Sequence, residues 1–393
     1  MSKILIVSQH YYPENFRITD IAETLVKLGN QVTVLCGYPN YPGGEIFKGY
    51  EKRKDHKCEE LNGVKIIRCY ERPRKHGALN LFLNYYTICL SLKHQAKKIK
   101  EQFDCVLINQ LSPVMQAWAG LTYAKKHKVK CLLYCYDLWP DSLAAGGIKK
   151  GSLVYNYYYR VSNKIYKKVD ELLVTSKNFV SYFKDFHHIE EHKITYLPQY
   201  CEDVYGKINK KGEINEFNYV FAGNIGNMQS VETIIKAAEL VKDDKSIKIH
   251  IVGDGSSYQA CQDLAKNLKL DNVIFYGRRP IEEMPNFYQM ATAMIVTLTK
   301  NDIISKTLPG KVQSYMAAGK PIIGAIDGEA NEIIKDAKCG FVCGAEDYQG
   351  LAKIMQDLKN CNLDELEQNA KNYYENNFRK ELFFKKLLKK MEE

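Results

Sequence analysis

The sequence predicts an α/β protein of two doubly wound, Rossmann-like domains with a cleft between them. Three observations predict it. The chain has 393 residues, more than one hydrophobic core usually serves. Continuous apolar runs alternate with helical patterns twice over, as parallel strands covered on both faces require. Glycines and polar residues gather just beyond the ends of those runs, where ligands of doubly wound sheets bind.

The strand-like runs of the first half are Ile4–Ser8, Val32–Cys36, Val64–Cys69, Cys105–Asn109, Cys131–Tyr136, Leu172–Thr175 and Ile194–Leu197. Those of the second half are Tyr219–Ala222, Ile247–Val252, Val273–Tyr276, Ala293–Leu298, Ile322–Ile326 and Phe341–Cys343. Helical patterns such as Thr19–Leu28 and Val231–Val241 lie between them. The polar, aperiodic stretch 200–216 marks a boundary, which gives domains over 1–199 and 200–377. A basic amphipathic helix over 378–393 is expected to pack back on the first domain.

Composition narrows the function. A formal charge of +10 favours an anionic partner. The twelve cysteines are scattered, several in strand-like runs (Cys36, Cys69, Cys105, Cys131, Cys135), and form no CxxC pair, which removes the usual zinc and thioredoxin signatures. They read as buried apolar residues of a reducing compartment. The start, KILIVSQ, reads as a strand and not as a signal peptide. The apolar stretch Leu79–Leu92 is broken by Asn80, Asn84 and Thr87 and is shorter than a membrane span. The basic residues are not interleaved with aromatics on a nucleic-acid module, so no nucleic-acid partner is expected.

The chemistry concentrates in TLPGKVQSYMAAGKPII, 307–323. A helix starting at a Gly-Lys turn offers free amides and the positive end of its dipole, and Lys311 adds a full charge. That is an anion site, and phosphate is its usual occupant. Gly223 and Gly226 follow a buried strand and let the backbone approach a ligand. Gly253, Asp254 and Gly255 form a turn after the next strand, and Arg278 and Arg279 follow the one after. In the first half, His10, Glu14 and Arg17 follow the first strand. Asp137 follows the fifth; it contacts substrate or caps the helix after Pro140.

The chain resembles retaining glycosyltransferases of family 4, with the two-Rossmann GT-B architecture. It is most similar to the bacterial surface-polysaccharide branch that includes WbuB-type N-acetylfucosamine transferases. YYPEN (11–15), GYPNYPGG (37–44), DLWPDS (137–142), FAGNIGNMQ (221–229), VGDG (252–255), FYGRRP (275–280) and LPGKVQSYMAAGKP (308–321) carry the resemblance over nearly the whole chain. It departs from the family in two places. Many members carry two glutamates eight apart where this chain has Lys306 and Ser314. Many also use Arg and Lys where Asn224 and Gln229 stand.

The resemblance implies a nucleotide-sugar donor, UDP-linked, and no cofactor. No Asp-x-Asp occurs, so metal-independent transfer is expected, with cations and a helix start stabilising the leaving diphosphate. Lys311, Asp137 and His10 are the catalytic expectations. Gly223, Asn224, Gly226, Gly253, Asp254, Gly255, Arg278, Lys306, Ser314 and Glu329 are the donor-side expectations, the last two as ribose contacts. Glu14 and Arg17 would meet the acceptor. That acceptor is expected to be a polyprenyl-diphosphate-linked saccharide. The enzyme would be cytoplasmic and peripheral on the inner membrane face, on an anionic surface met by Arg72, Arg74, Lys75, Lys93, Lys97, Lys98, Lys100 and the C-terminal lysines. A UDP-N-acetylglucosamine 2-epimerase-like isomerase of the same fold is the alternative.

Overall fold

The computed structural model describes residues 1–41, 43–52, 54–73, 77–208 and 216–393. The chain divides into two compact units. The first holds Met1–Thr175, Phe179–Leu197 and Lys386–Glu393; the second holds Ser176–Asn178 and Pro198–Lys385.

The first unit is built on an eight-stranded sheet. Its strands are β1 (Lys3–Val7), β2 (Gln31–Gly37), β3 (Cys58–Leu61), β4 (Val64–Cys69), β5 (Cys105–Gln110), β6 (Lys130–Cys135), β7 (Glu171–Val174) and β8 (Ile194–Tyr196), in the order β3-β4-β2-β1-β5-β6-β7-β8. All pairings are parallel except β3 with β4. Helices α1 (Arg17–Lys27), α2 (Ala78–Lys98), α3 (Ala117–His127), α4 (Asp141–Ala145), α5 (Leu153–Tyr166) and α6 (Lys177–Asp185) occur in this half of the sequence. The central strands are solidly apolar because both faces are covered: Ile4 to Val7 are wholly buried. Each such side chain contributes about 1.5–3 kcal/mol on burial. Gly120 sets how closely α3 lies on the sheet, since a Cβ there would come within 2.5 Å of Ile108.

The sequence reading missed β3. Its residues alternate between exposed and half-buried, as suits an edge strand, so it has no apolar run to find. It joins β4 through Asn62-Gly63, both at positive φ (52° and 77°), the mark of a tight hairpin.

The second unit has a fully parallel six-stranded sheet: β9 (Phe217–Ala222), β10 (Ile247–Val252), β11 (Val273–Gly277), β12 (Ala293–Thr297), β13 (Ile322–Ala325) and β14 (Gly340–Cys343), in the order β11-β10-β9-β12-β13-β14. The later helices are α7 (Val231–Leu240), α8 (Tyr258–Asn267), α9 (Met284–Met290), α10 (Gly310–Ala317), α11 (Glu329–Asp336), α12 (Tyr348–Asp357), α13 (Leu363–Asn377) and α14 (Lys380–Glu392). The end of α14 belongs to the first unit, where the Lys130 ammonium donates to the Lys390 carbonyl at 2.7 Å and Lys390 lies 3.6 Å from Glu171. All twelve cysteines are free thiols. Among the described residues no helix is long and apolar enough to cross a membrane.

Strand order reverses between β1 and β5 in the first sheet and between β9 and β12 in the second. Those two switch points, beside the residues that follow β1 and β9, are where doubly wound sheets open for ligands.

Candidate active site

In the second unit, β9 ends at Ala222 and the chain turns through Gly223, at φ 144°. Gly253, after β10, sits at φ 138°, and a Cβ on it would fall 1.8 Å from the Gly223 carbonyl oxygen. A Cβ on Gly255 would fall 2.5 Å from the Ile225 carbonyl. The two loops can lie this close only because these positions lack side chains. Asn224 Nδ2 and the Gly226 amide both donate to Gln229 Oε1 at 3.2 Å, which folds the first loop on itself. Asp254 accepts from the Gly255 amide at 2.7 Å and is otherwise exposed.

Lys311 lies in the first turn of α10, whose N-cap position is Pro309 with no side-chain cap. Its stem turns inward. Nζ stands 3.9 Å above the Phe221 ring and would lie 3.1 Å from a Cβ on Gly223. The ammonium atom is buried and has no hydrogen-bond partner among the described residues. An ammonium in that state is penalised by lost hydration, so burial pushes its pKa down to about 7. The aromatic face offers partial compensation only. A buried ammonium so placed suits an anionic ligand.

Around it, the Ser314 hydroxyl is buried and donates to the Lys311 carbonyl at 3.0 Å, with the Tyr288 hydroxyl 3.1 Å away. Tyr288 stacks on Tyr205 at 4.6 Å. Glu329 is buried and its carboxylate is engaged: the Ser176 hydroxyl donates at 2.6 Å and the amides of Lys177 and Asn178 at 2.7 and 2.8 Å. Lys306 ends a short 3-10 turn, half-buried. Arg278 is exposed directly after β11, whereas Arg279 donates to the Tyr276 carbonyl at 3.1 Å and lies 3.7 Å from Glu283.

In the first unit, His10 and Glu14 follow β1 and meet at 2.9 Å through Nδ1 and Oε2. Glu14 Oε1 accepts the amides of Asn40 at 2.8 Å and Tyr41 at 2.7 Å. A carboxylate at Nδ1 fixes the proton there and leaves Nε2 of the neutral ring as an acceptor. The His10 ring stacks on Phe16, centroids 4.7 Å apart. Arg17 opens α1 and acts electrostatically on the half-buried Tyr136.

Asp137 does not cap the helix after Pro140. Its Oδ2 accepts the Ser112 amide and hydroxyl, both at 2.8 Å, and the N-cap of α4 is Pro140, without a side-chain bond. Trp139 Nε1 donates to the same Ser112 hydroxyl at 2.9 Å. Burial raises the Asp137 pKa.

The structure thus gathers Gly223, Asn224, Gly226, Gly253, Gly255, Lys311 and Ser314 within one unit, and His10 with Glu14 in the other. Sequence reasoning missed Phe221, the seat beneath the ammonium, and Tyr288, the partner of Ser314. Both read as ordinary core residues: Phe221 opens the FAGNIGNMQ motif without a role of its own, and Tyr288 lies in no motif. It also missed Glu71, a wholly buried carboxylate to which Gln9 Nε2 donates at 3.1 Å.

Two family descriptions match the chain: Glycosyltransferase Family 4 over residues 16–199 and Glycosyl transferases group 1 over residues 206–377. A probable glycosyltransferase, WbjE of Pseudomonas aeruginosa, is 26% identical over 247 residues, 60% of each chain. The chain thus matches less than two thirds of that relative's length. WcaI of Escherichia coli K12, a putative colanic acid biosynthesis glycosyl transferase, is 22% identical over 81% of each chain. The Anabaena protein Alr3699/HepE, solved with UDP and glucose, superposes with a TM-score of 0.72 at 14% identity, covering both chains completely.

Proposed function

We propose that this chain, a glycosyltransferase with the GT-B fold, moves a sugar from a UDP-sugar to a lipid-linked saccharide during surface-polysaccharide synthesis, with retention of configuration. The sugar we favour is an N-acetylated hexosamine or deoxyhexosamine. The observation that carries the reading is Lys311: a buried ammonium with no hydrogen-bond partner among the described residues, at the switch point of the second sheet, beside two glycine turns. UDP in the HepE complex supports the choice of nucleotide.

The diphosphate would enter at Gly223 and give Lys311 its missing counter-charge. As the glycosidic bond breaks, negative charge grows on the leaving diphosphate, and a fixed cation in a dry site stabilises that growth most. Lys311 would do this without a metal. Ser314 would face the ribose, and Gly253 to Gly255 the nucleoside. In the first unit, His10 would present Nε2 to a substrate hydroxyl, held in that tautomer by Glu14. Retention needs no protein nucleophile if the donor phosphate takes the acceptor proton on the same face of the sugar.

The test is turnover of a panel of UDP-sugars with a lipid-linked acceptor, in excess EDTA and in magnesium. Equal rates are expected. Activity abolished by chelation and restored by manganese would overturn the leaving-group assignment. An epimer formed from the nucleotide sugar alone would make the chain an isomerase.

A further inference from the structure

In the first unit, the loops after β1 and β2 are pinned by buried charged side chains. Glu14 Oε1 accepts the amides of Asn40 and Tyr41, which ties the second loop to the first. The Asn40 side chain donates to the Glu71 carboxylate and, at 2.9 Å, to the Tyr38 carbonyl. Glu71 is wholly buried, and a Cβ on Gly37 would come within 3.0 Å of its carboxyl carbon, so β2 ends on a glycine. Glu71 immediately precedes Arg72, the start of the basic segment of which Arg74 and Lys75 lie outside the described residues. Arg68, near the end of β4, donates to the Tyr12 carbonyl at 2.7 Å and to the Gly37 carbonyl at 3.3 Å, and its charge is paired with Glu59 at 2.9 Å. Buried carboxylates and guanidinium groups are tolerated only against fixed partners, so the burial of these charges and the rigidity of the two loops go together.

What the rigid loops present is aromatic. Tyr41 is 39% exposed although its amide is bonded to Glu14. Its ring lies 5.3 Å from those of His10 and Phe16 and is tilted against them by 55° and 53°. His10 and Phe16 are nearly parallel, 10° apart. The three rings form a corner, with Tyr41 as one wall and the His10–Phe16 pair as the other. Glu14 fixes both walls, through the Tyr41 amide at 2.7 Å and His10 Nδ1 at 2.9 Å. A ring on a loose loop loses freedom when it meets a ligand; this ring is ordered by folding itself. Gly37, Asn40 and Tyr41 all belong to GYPNYPGG (37–44), a motif to which the proposed reaction gives no role.

We propose that Tyr41 is the platform for the sugar of the acceptor: the C–H face of a neutral pyranose lies on its exposed ring while a hydroxyl of the same sugar reaches His10 Nε2. Two features select this ligand. An aromatic face carries partial negative charge and attracts polarised C–H bonds, which a pyranose presents in a cluster. The imidazole beside it offers an acceptor and calls for an O–H. A phosphate matches neither feature and would stand beside the Glu14 carboxylate. A hydrocarbon chain would leave His10 unmatched. The assignment rests on the proposed function in taking the ligand to be the acceptor, and it adds the residue that reads the sugar ring.

The test uses the full chain in two arms. In the first, Tyr41→Ala should raise the KM for the lipid-linked acceptor about tenfold, the scale of one aromatic contact, with kcat and the KM for the UDP-sugar changed by less than about twofold. Its melting temperature should match wild type, because the amide that bonds Glu14 remains. Tyr41→Phe should restore the acceptor KM, since the ring face and not the hydroxyl makes the contact. Tyr157→Ala, which removes an exposed tyrosine of α5, should leave all three constants unchanged. The second arm needs no turnover. The Tyr41→Trp variant is titrated with methyl pyranosides of gluco, galacto and manno configuration, with their N-acetylamino forms, and with sorbitol, an acyclic polyol that has hydroxyls but no ring face. Indole emission should respond to at least one pyranoside and not to sorbitol, with wild type, whose tryptophans are Trp118 and Trp139, as the blank. A wild-type acceptor KM in Tyr41→Ala would overturn the platform and leave the proposed reaction standing. A raised UDP-sugar KM with an unchanged acceptor KM would assign the ring to the nucleobase instead. Emission indifferent to every pyranoside, or equally sensitive to sorbitol, would also overturn it. Pyranoside-dependent emission in a chain that turns over no UDP-sugar would uphold the platform and sink the reaction.

Discussion

The residues after β1 and those after β9 occupy equivalent places in two similar sheets, yet their electrostatics differ. In the first unit the acidic groups are satisfied by their own chain. Glu14 accepts two backbone amides and pairs with His10, and Asp137 accepts twice from Ser112. In the second unit the Lys311 ammonium is buried over the Phe221 ring with no hydrogen-bond partner among the described residues. A satisfied buried charge holds a loop; an unsatisfied one costs stability until a ligand arrives. The first arrangement is pre-organised scaffolding around His10, and the second suits the anion of the proposed function.

The contrast gives opposite expectations for two alanine substitutions. Lys311→Ala should lower turnover by about tenfold to a thousandfold, since a charge-assisted contact is worth about 1.5–3 kcal/mol and more as leaving-group charge develops. The same variant should melt no lower than wild type, because it removes an uncompensated buried cation. Thermal unfolding and a rate assay on one preparation check both halves; a lower melting temperature with full activity would reverse the contrast.

Glu14→Ala should do the reverse. It leaves the amides of Asn40 and Tyr41 without their acceptor, a cost of about 1–3 kcal/mol. A melting temperature several degrees below wild type is expected, with UDP affinity unchanged by calorimetry. A stable Glu14→Ala protein with weakened UDP binding would place Glu14 in the wrong role. Ser314→Ala is the smallest expected effect. Its hydroxyl meets Tyr288 and the Lys311 carbonyl, so loss of one neutral bond, about 1 kcal/mol, should raise the UDP dissociation constant by a few-fold.

The fold was legible because both sheets are buried on both faces, which leaves long apolar runs in the sequence. Only the edge strand β3, polar on its open side, escaped, and its Asn62-Gly63 turn was the available signal. At the site, the glycines were legible because close approach demands glycine and the loops after β9 and β10 supply it. The acidic residues were not. Glu14, Asp137 and Glu329 all follow strands, and a carboxylate in that place looks the same in sequence whether it meets a substrate or a backbone amide. What separates them is the direction of neighbouring N–H groups, which depends on residues far away in the chain, such as Ser112 for Asp137 and 176–178 for Glu329. The inward turn of Lys311 onto Phe221 was hidden for the same reason.

In the proposed function, Lys311 takes the donor diphosphate as its counter-ion. Its pKa in the free protein is lowered to about 7, against about 10.4 for an unfolded lysine. The folded value lies below the unfolded one, so between those pH values the unfolded chain binds more protons and stability of the free protein rises with pH. A bound diphosphate restores the charged form, so UDP binding above pH 7 must draw a proton from solution. Calorimetric titration with UDP at pH 8, in buffers of differing ionisation enthalpy, measures that uptake directly. Uptake approaching one proton per UDP is expected in wild type and none in Lys311→Ala, with UDP affinity falling as pH rises from 7 to 9. Equal heats in all buffers for wild type, with affinity flat over that range, would contradict it.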